Sequence, residues 1–476
     1  MAEGPSRREF LKASAMGLAA AAAAETLPVT DVFAAQGGTG ELAGWTTFGE
    51  ARFQRISPLQ WRTSAGPSAK GVIVVNPQNK FQEILGFGGA FTDASCFLFS
   101  QLSEAARTKV FRDLFHPSAM NLSVCRTCIG ASDYSTSVYS FDEGEPDPEL
   151  QRFSIEHDRA YILPMLREAR KQNPDLFLFS SPWSPPGWMK AGGSMLGGSM
   201  RKPFFAPYAQ YFLRFLQGYA TEGVEIQAVT PQNEVDTDQN GRMPACLWGQ
   251  EYEIEFVGKY LGPVLREHGL GTKIWILDHN YNLWGRAICE LDDPGVREYS
   301  NAVAWHGYAG TAEMMSKAHA AHPDCEMYWT EGGPDYTWPD YATDWVKWSQ
   351  TFTEILRNWC RAITAWNLAL DEKGRPNLGP FPCGGLITVH SQSNAVMASG
   401  QYHAFAHYSR VIRRGAHRVE STGETEIKHV AFENPDGQKV LILTNAGAAT
   451  KATVRVGTSE AEIALGAGSV TSLTWA

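Results

Sequence analysis

The chain has 476 residues and 51 acidic against 41 basic side chains, a formal charge of −10. It therefore lacks the clustered cations that a phosphate backbone requires, which excludes nucleic acid as its natural partner. Hydrophobic residues make up 43% and charged residues 19%; with a mean hydropathy of −0.26, this is the balance of a globular protein, and beyond the N-terminus no apolar run is long enough to span a bilayer.

The chain opens on Ser6-Arg7-Arg8-Glu9-Phe10-Leu11-Lys12, followed by an Ala-rich apolar run over 13–24. This is the form of a twin-arginine export signal. With cleavage after Ala34, residues 1–34 are the signal peptide and the destination is periplasmic or extracellular. Substrates of that route cross folded, so folding takes place in a reducing cytosol. The eight cysteines, spread from Cys96 to Cys383, accordingly read as buried thiols and not as a disulfide framework. Cys125 and Cys128 have CxxC spacing but lie in a strand-like run, without a second pair or a nearby His. No metal and no cofactor is expected.

Residues 45–80 read as short β segments, with a turn at Asn76-Pro77. From about residue 85, apolar or β-branched runs alternate with segments of helical period. Strands are predicted at 85–91, 122–132, 175–181, 226–231, 273–278, 302–306, 326–330 and 363–367. Helices are predicted at 103–115, 157–171, 208–220, 250–268 and 345–361. About eight βα units form a (β/α)₈ barrel over 81–414. From 415 to 476 helical periodicity stops. Strands at 429–433 and 440–444 flank Asn434-Pro435-Asp436-Gly437, where Pro presets φ and Gly supplies φ > 0. Further strands are predicted at 452–456, 461–465 and 470–475. The expected fold is α/β: a TIM barrel with a side β-sandwich formed by both chain ends.

In such a barrel the reactive groups collect where strands end at the C-terminal face. The predicted strand ends carry Asp93, Asp133, Ser181-Pro182-Trp183, Asn233-Glu234, Asp278-His279-Asn280, His306-Gly307-Tyr308, Glu331 and Trp366-Asn367. There is no nucleophile-elbow serine and no phosphate-cradling loop; Gly86-Phe87-Gly88-Gly89 lacks the later Gly of a dinucleotide loop. The chain is rich in rings, with 15 Trp, 16 Tyr and 24 Phe, and a flat ring with a polar edge suits a pyranose face. Two carboxylates framed by aromatics and amides serve glycoside cleavage best, one protonating the leaving oxygen while the other stays ionised. Glu234 and Glu331, at the ends of strands four and seven, are the pair.

These residues resemble a known family. Leu85-Gly86-Phe87-Gly88-Gly89-Ala90-Phe91-Thr92-Asp93-Ala94, Ser181-Pro182-Trp183 with Trp188-Met189-Lys190, Asn233-Glu234, Thr330-Glu331 and Trp366-Asn367-Leu368-Ala369-Leu370 are together similar to glycoside hydrolase family 30, the family of acid β-glucosylceramidase. The resemblance runs in order from Gly86 to Arg418. It implies a barrel with a side sandwich and a retaining mechanism, with Glu234 as acid/base and Glu331 as nucleophile. It further implies that Asn233 bonds the sugar 2-hydroxyl and that Asp93, Trp183 and Trp366 hold the non-reducing sugar. His306 and Tyr308 resemble a supporting pair near the nucleophile, with Asn367 beside Trp366. His279, His403 and His407 are left as structural or without an assigned role.

Departures from the family pattern fall around the pair. Val235-Asp236 follows the acid/base where relatives commonly have Pro, Gly307 replaces a Trp, and Gly332-Gly333-Pro334 follows the nucleophile. The resemblance thus implies an enzyme acting on β-linked glucosides, glucosylceramide-like or glucan-derived, with β-1,6-glucanase, β-xylosidase, β-fucosidase and glucuronoxylan endo-xylanase as rivals. A degenerate carbohydrate-binding barrel is the non-enzyme alternative. The expected partner is a small-molecule, oligosaccharide or glycolipid β-glycoside; oligomeric state is left open.

Overall fold

The computed structural model describes residues 40–64, 66 and 71–476. The Arg7-Arg8 sequence and the expected cleavage site after Ala34 lie outside the described residues.

Parallel strands close into a barrel. In chain order these are Gly86–Phe91, Val124–Cys128, Phe177–Ser181, Ala228–Val229, the split pair Lys273–Ile274 and Ile276–Asn280, then Ala302–His306, Glu326–Glu331 and Cys360–Ala365. The eighth strand pairs with the first in parallel register, Ala362 opposite Gly86. The fifth strand bridges the remaining gap in two pieces: Lys273–Ile274 pairs with strand four and Ile276–Asn280 with strand six. Between them, Trp275 donates its N–H to Val229 O at 2.9 Å.

Most predicted strands are found within one to four residues of their expected limits. Strand eight is displaced: it starts at Cys360, inside the segment predicted as helix 345–361. That helix stops at Arg357, where Trp359 takes φ +74° and turns the chain into the sheet. The helix predicted at 157–171 is broken at Tyr161 into Glu156–Ala160 and Ile162–Gln172. The turn expected at Asn76-Pro77 lies within the long strand Val72–Glu83, as an irregularity in its pairing with His417–Thr422. Asn76 Oδ1 accepts the Gln78 N–H there, which satisfies the backbone locally in place of the interrupted ladder.

The side domain draws strands from both chain ends. Glu41–Phe48 is antiparallel to Ser469–Trp475, and Val72–Glu83 pairs with both His417–Thr422 and Thr450–Val456. Asn434-Pro435-Asp436-Gly437 joins Lys428–Glu433 to Lys439–Asn445 as a hairpin. Side chains along these strands alternate between two cores. Val430, Phe432, Val440 and Ile442 join the large core shared with the barrel, while Ala431, Leu441 and Leu443 fill the sandwich's own interior. That two-residue alternation seats the sheet on helix Trp345–Arg357, where Arg357 donates to Ser421 O and His429 O and Ser349 Oγ bonds Thr444 Oγ1.

Candidate active site

A cleft of about 600 Å³ opens at the C-terminal end of the barrel. Asp133, Trp183, Asn233, Glu234, Tyr308, Glu331 and Trp366 all line it. The two glutamates reach it by different routes. Glu331 is the last residue of strand seven, where a one-residue slip in pairing sets His306 directly opposite Glu331 and leaves Thr330 unpaired. Glu234 lies beyond strand four with φ +55°, a conformation that a non-glycine residue adopts at a cost. Its N–H is tied to Asp278 O at 3.1 Å.

Beneath the pair lies a fully buried cation. Arg126, in the middle of strand two, donates to Glu331 Oε2 at 2.6 Å, to Asn233 Oδ1 at 2.8 Å and to Asp278 Oδ2 at 2.7 Å. Its guanidinium also sits over the Trp183 ring, 4.6 Å from the centroid. Asp278 occupies a bulge in strand five, where Leu277 and Asp278 both take positive φ and the register slips by one residue. The bulge aims its carboxylate inward. There it accepts bonds from Ser181, Thr230 and Thr330 hydroxyls and from His306 Nε2. Burial opposes ionisation of Asp278, yet Arg126 first and then His306 hold its pKa far below the ordinary carboxylate range. A buried anion is tolerable here because every donor around it is aimed at it.

His306 joins the glutamates. Its Nδ1 lies 3.5 Å from Glu234 Oε1 and 4.0 Å from Glu331 Oε1. Burial would lower the pKa of this imidazole, but Glu331, Asp278 and Glu234 outweigh it and raise it to about 9. Burial likewise raises Glu331, against the pull of His306 and Arg126. For Glu234 burial is outweighed by His306, His279 and Gln239, which hold it below its ordinary value. The resting proton therefore belongs to the carboxylate–imidazole group as a whole. Tyr308 completes the surroundings of Glu331, its hydroxyl donating to Oε1 at 3.0 Å, and Gln239 Nε2 donates to Glu234 Oε2 at 3.0 Å.

The remaining predicted residues divide. Trp183 and Trp366 stack on one another with centroids 4.9 Å apart and form a wall of the cleft. Asn233 lines the cleft with its amide oxygen already taken by Arg126, which leaves the amide N–H₂ for a ligand. Asn367 is buried behind Trp366 and accepts the Thr92 hydroxyl; it is not among the lining residues. Asp93 does not reach the cleft either. It opens helix Asp93–Gln101 and is consumed by the Thr136 N–H, His157 Nε2 and the Tyr161 hydroxyl at 2.6–2.7 Å. Asp133 stands in the cleft instead, its Oδ1 buried and without a partner. Burial, reinforced by Glu331 and Glu234, keeps its carboxyl well above the usual range.

Residues 84–412 match the glycosyl hydrolase family 30 TIM-barrel domain, and 415–473 match that family's β-sandwich domain. The chain belongs to glycoside hydrolase family 30. An endo-1,6-β-D-glucanase of Neurospora crassa is 33% identical over 412 residues, spanning 82% of this chain and 84% of that protein. The lysosomal acid glucosylceramidase of mouse is 28% identical over 398 residues, 79% of this chain and 77% of that one. Among solved structures, an endo-β1,6-glucanase superposes with a TM-score of 0.84 at 29% identity, covering 92% of this chain and all of that one. The protein is thus a glycoside hydrolase.

Within this family 30 site, sequence reading passed over Arg126, which carries no strand-end signal because it lies mid-strand. Of the two strand-end aspartates, Asp133 lines the cleft and Asp93, the one expected to hold a sugar, does not. His279, which the sequence leaves without a role, bonds Asp236 Oδ1 through Nε2 at 2.5 Å and faces Glu234 Oε1 with its Nδ1 at 3.9 Å. The departures near the pair have a packing basis. A Cβ on Gly332 would fall 2.0 Å from the Trp329 ring, and one on Gly307 would fall 3.1 Å from its indole nitrogen. Both glycines make room for Trp329.

Proposed function

We propose that this glycoside hydrolase is a retaining β-glucosidase-type enzyme working by double displacement. The observation that carries the reading is one imidazole nitrogen, on the fully buried His306, within 4.0 Å of both Glu234 and Glu331, two carboxylates that line one cleft with Trp183 and Trp366. The sugar seats against the two indoles. Asp133 accepts or donates to a remote hydroxyl, and Asn233 meets the 2-hydroxyl, a contact that strengthens in an oxocarbenium-like transition state.

In the first step the Glu331 carboxylate bonds to the anomeric carbon. The bond from that carbon to the aglycone oxygen breaks, and Glu234 gives the oxygen its proton. In the second step Glu234, now ionised, takes a proton from water; the water oxygen bonds to the anomeric carbon and Glu331 is released. Glu234 must be protonated when substrate is bound. His306, which reaches both carboxylates, is the group placed to relay that proton. Tyr308 and Arg126 orient Glu331 and stabilise the carboxylate that attacks in the first step and is released in the second.

The aglycone is proposed to be another sugar. Beyond Glu234 the cleft is lined by Asp236, Thr237, Gln239, Asn280 and Asn282, a polar wall suited to hydroxyls. Likeness to the endo-1,6-β-glucanases supports a β-1,6-linked glucan or its oligomers. A glucosylceramide-like substrate is the second reading, favoured by the exposed rings of Tyr308 and Phe381 at the mouth. Hydrolysis of gentio-oligosaccharides, aryl β-glucoside, xyloside and fucoside, and glucosylceramide under one set of conditions decides between them. Turnover of glucosylceramide well above gentio-oligosaccharides overturns the first choice, and a preference for xyloside or fucoside overturns the glucoside assignment.

The N-terminal Arg7-Arg8 sequence carries a further proposal, export of the folded chain by the twin-arginine route. Replacing both arginines by lysine is expected to leave the protein in the cytosol; unchanged export contradicts it.

A further inference from the structure

We propose that Glu234, His279 and His306 form a binding site for a borderline-soft divalent metal ion such as Zn²⁺, whose occupation blocks the acid/base and so inhibits the enzyme reversibly. Three ligand atoms, Glu234 Oε1, His279 Nδ1 and His306 Nδ1, lie within 4.8 Å of one another. The two nitrogens are 3.9 and 3.5 Å from the shared oxygen. With metal bonds of about 2.0–2.1 Å, adjacent ligands of a tetrahedral zinc stand about 3.3 Å apart. The two nitrogen–oxygen spacings are a small contraction away, and the two nitrogens, within 4.8 Å of one another, close further on binding.

Two further features point to a ligand. Both Nδ1 atoms are buried without a hydrogen-bond partner, on side chains that are 4% and 0% exposed. An ion between them would satisfy both nitrogens, displacing the proton that His306 shares with the carboxylates at rest. In addition, each ring is oriented from behind by a carboxylate: His279 Nε2 bonds Asp236 Oδ1 at 2.5 Å and His306 Nε2 bonds Asp278 Oδ1 at 3.1 Å. A carboxylate on the far nitrogen of each imidazole is the arrangement that fixes tautomer and ring direction in metal sites, and it increases the basicity of the near nitrogen. Glu234 and His279 line the cleft, so the ion has an entry path and a fourth position facing it.

The binding claim rests on this geometry, and only its consequence for hydrolysis rests on the role given to Glu234. The two are therefore measured separately. Zinc binding to the full chain is followed by calorimetry and by metal content after equilibrium dialysis at pH 7.5, in a Cys289→Ser background because Cys289 is an exposed thiol. One equivalent of Zn²⁺ is expected, removable by chelator, with Mg²⁺ not binding. His279→Ala is expected to abolish that equivalent, and Asp236→Asn to weaken it about 10- to 100-fold. Thermal unfolding of each variant verifies that it folds. Cobalt as a spectroscopic substitute is expected to give tetrahedral d–d bands without thiolate charge transfer. Absence of stoichiometric binding, full binding in His279→Ala, or a thiolate band overturns the site. Binding that leaves hydrolysis unaffected keeps the site but contradicts the role of Glu234.

Discussion

Glu331 and Glu234 face one cleft from opposite kinds of support, and the contrast explains how each serves. Glu331 ends a strand inside the sheet ladder and is pinned by a guanidinium that is itself fully buried. Glu234 sits past the sheet on a positive-φ turn, bonded to a Gln side chain and flanked by two imidazoles. A rigid, cation-paired carboxylate suits a group that must attack one carbon along one line. A carboxylate beside an imidazole that can hold a proton, His306, suits one that must gain and lose a proton each cycle.

Substitution at the rigid end has the largest expected effect. Glu331→Ala removes the proposed nucleophile and is expected to lower kcat on aryl β-glucosides by about 10⁵- to 10⁶-fold; wild-type turnover by this variant contradicts the assignment. At the other end, Glu234→Gln is expected to cost about 10²- to 10⁴-fold on substrates with poor leaving groups. The same variant is expected to lose little in the first step with a dinitrophenyl glycoside, which needs no proton. Equal losses on both would mean that Glu234 is not the acid.

His306, which joins the two ends, makes a pH-dependent contribution. Its folded pKa of about 9 lies above the unfolded value near 6.5, so its contribution is complete below about pH 6.5. It is lost as pH rises through about 9, and it is worth about 3 kcal/mol. Denaturant unfolding of wild type and His306→Gln is expected to show an advantage at pH 6 that shrinks by about that amount by pH 9.5. A constant difference would show that the ring is neutral.

The smallest effect expected is that of Asp236→Asn. Asp236, held low chiefly by its bond to His279, fixes that ring with its Nδ1 toward Glu234. Without it the ring is free to turn away, and kcat/KM is expected to fall by less than about 10-fold. A loss of about 100-fold or more, or none at all, would contradict this positioning role.

Much of this was legible in sequence because strand ends in a barrel are also site positions, which brought Glu234, Glu331, Trp183, Trp366 and Tyr308 into view together. The same rule failed for Arg126, whose side chain reaches the site from mid-strand across the barrel interior. It offered both Asp93 and Asp133, and the family resemblance pointed to Asp93, which starts a helix. Only the fold shows that His157 and Tyr161 consume that carboxylate while Asp133 is left with an unpaired oxygen. The strand-five bulge is equally silent: positive φ at Leu277 and Asp278 arises from tertiary context, since neither residue is a glycine. Strand eight was placed late because the apolar pattern of 345–361 continues smoothly from helix into strand.

The most direct test of the division of labour is covalent trapping. Incubation with an activated 2-deoxy-2-fluoro-β-glucoside, which slows both steps but the second more, followed by peptide mass spectrometry, is expected to find the sugar on Glu331 and a reactivatable enzyme. A label on Glu234 or on another carboxylate, or turnover with inversion of the anomeric centre, would contradict the account.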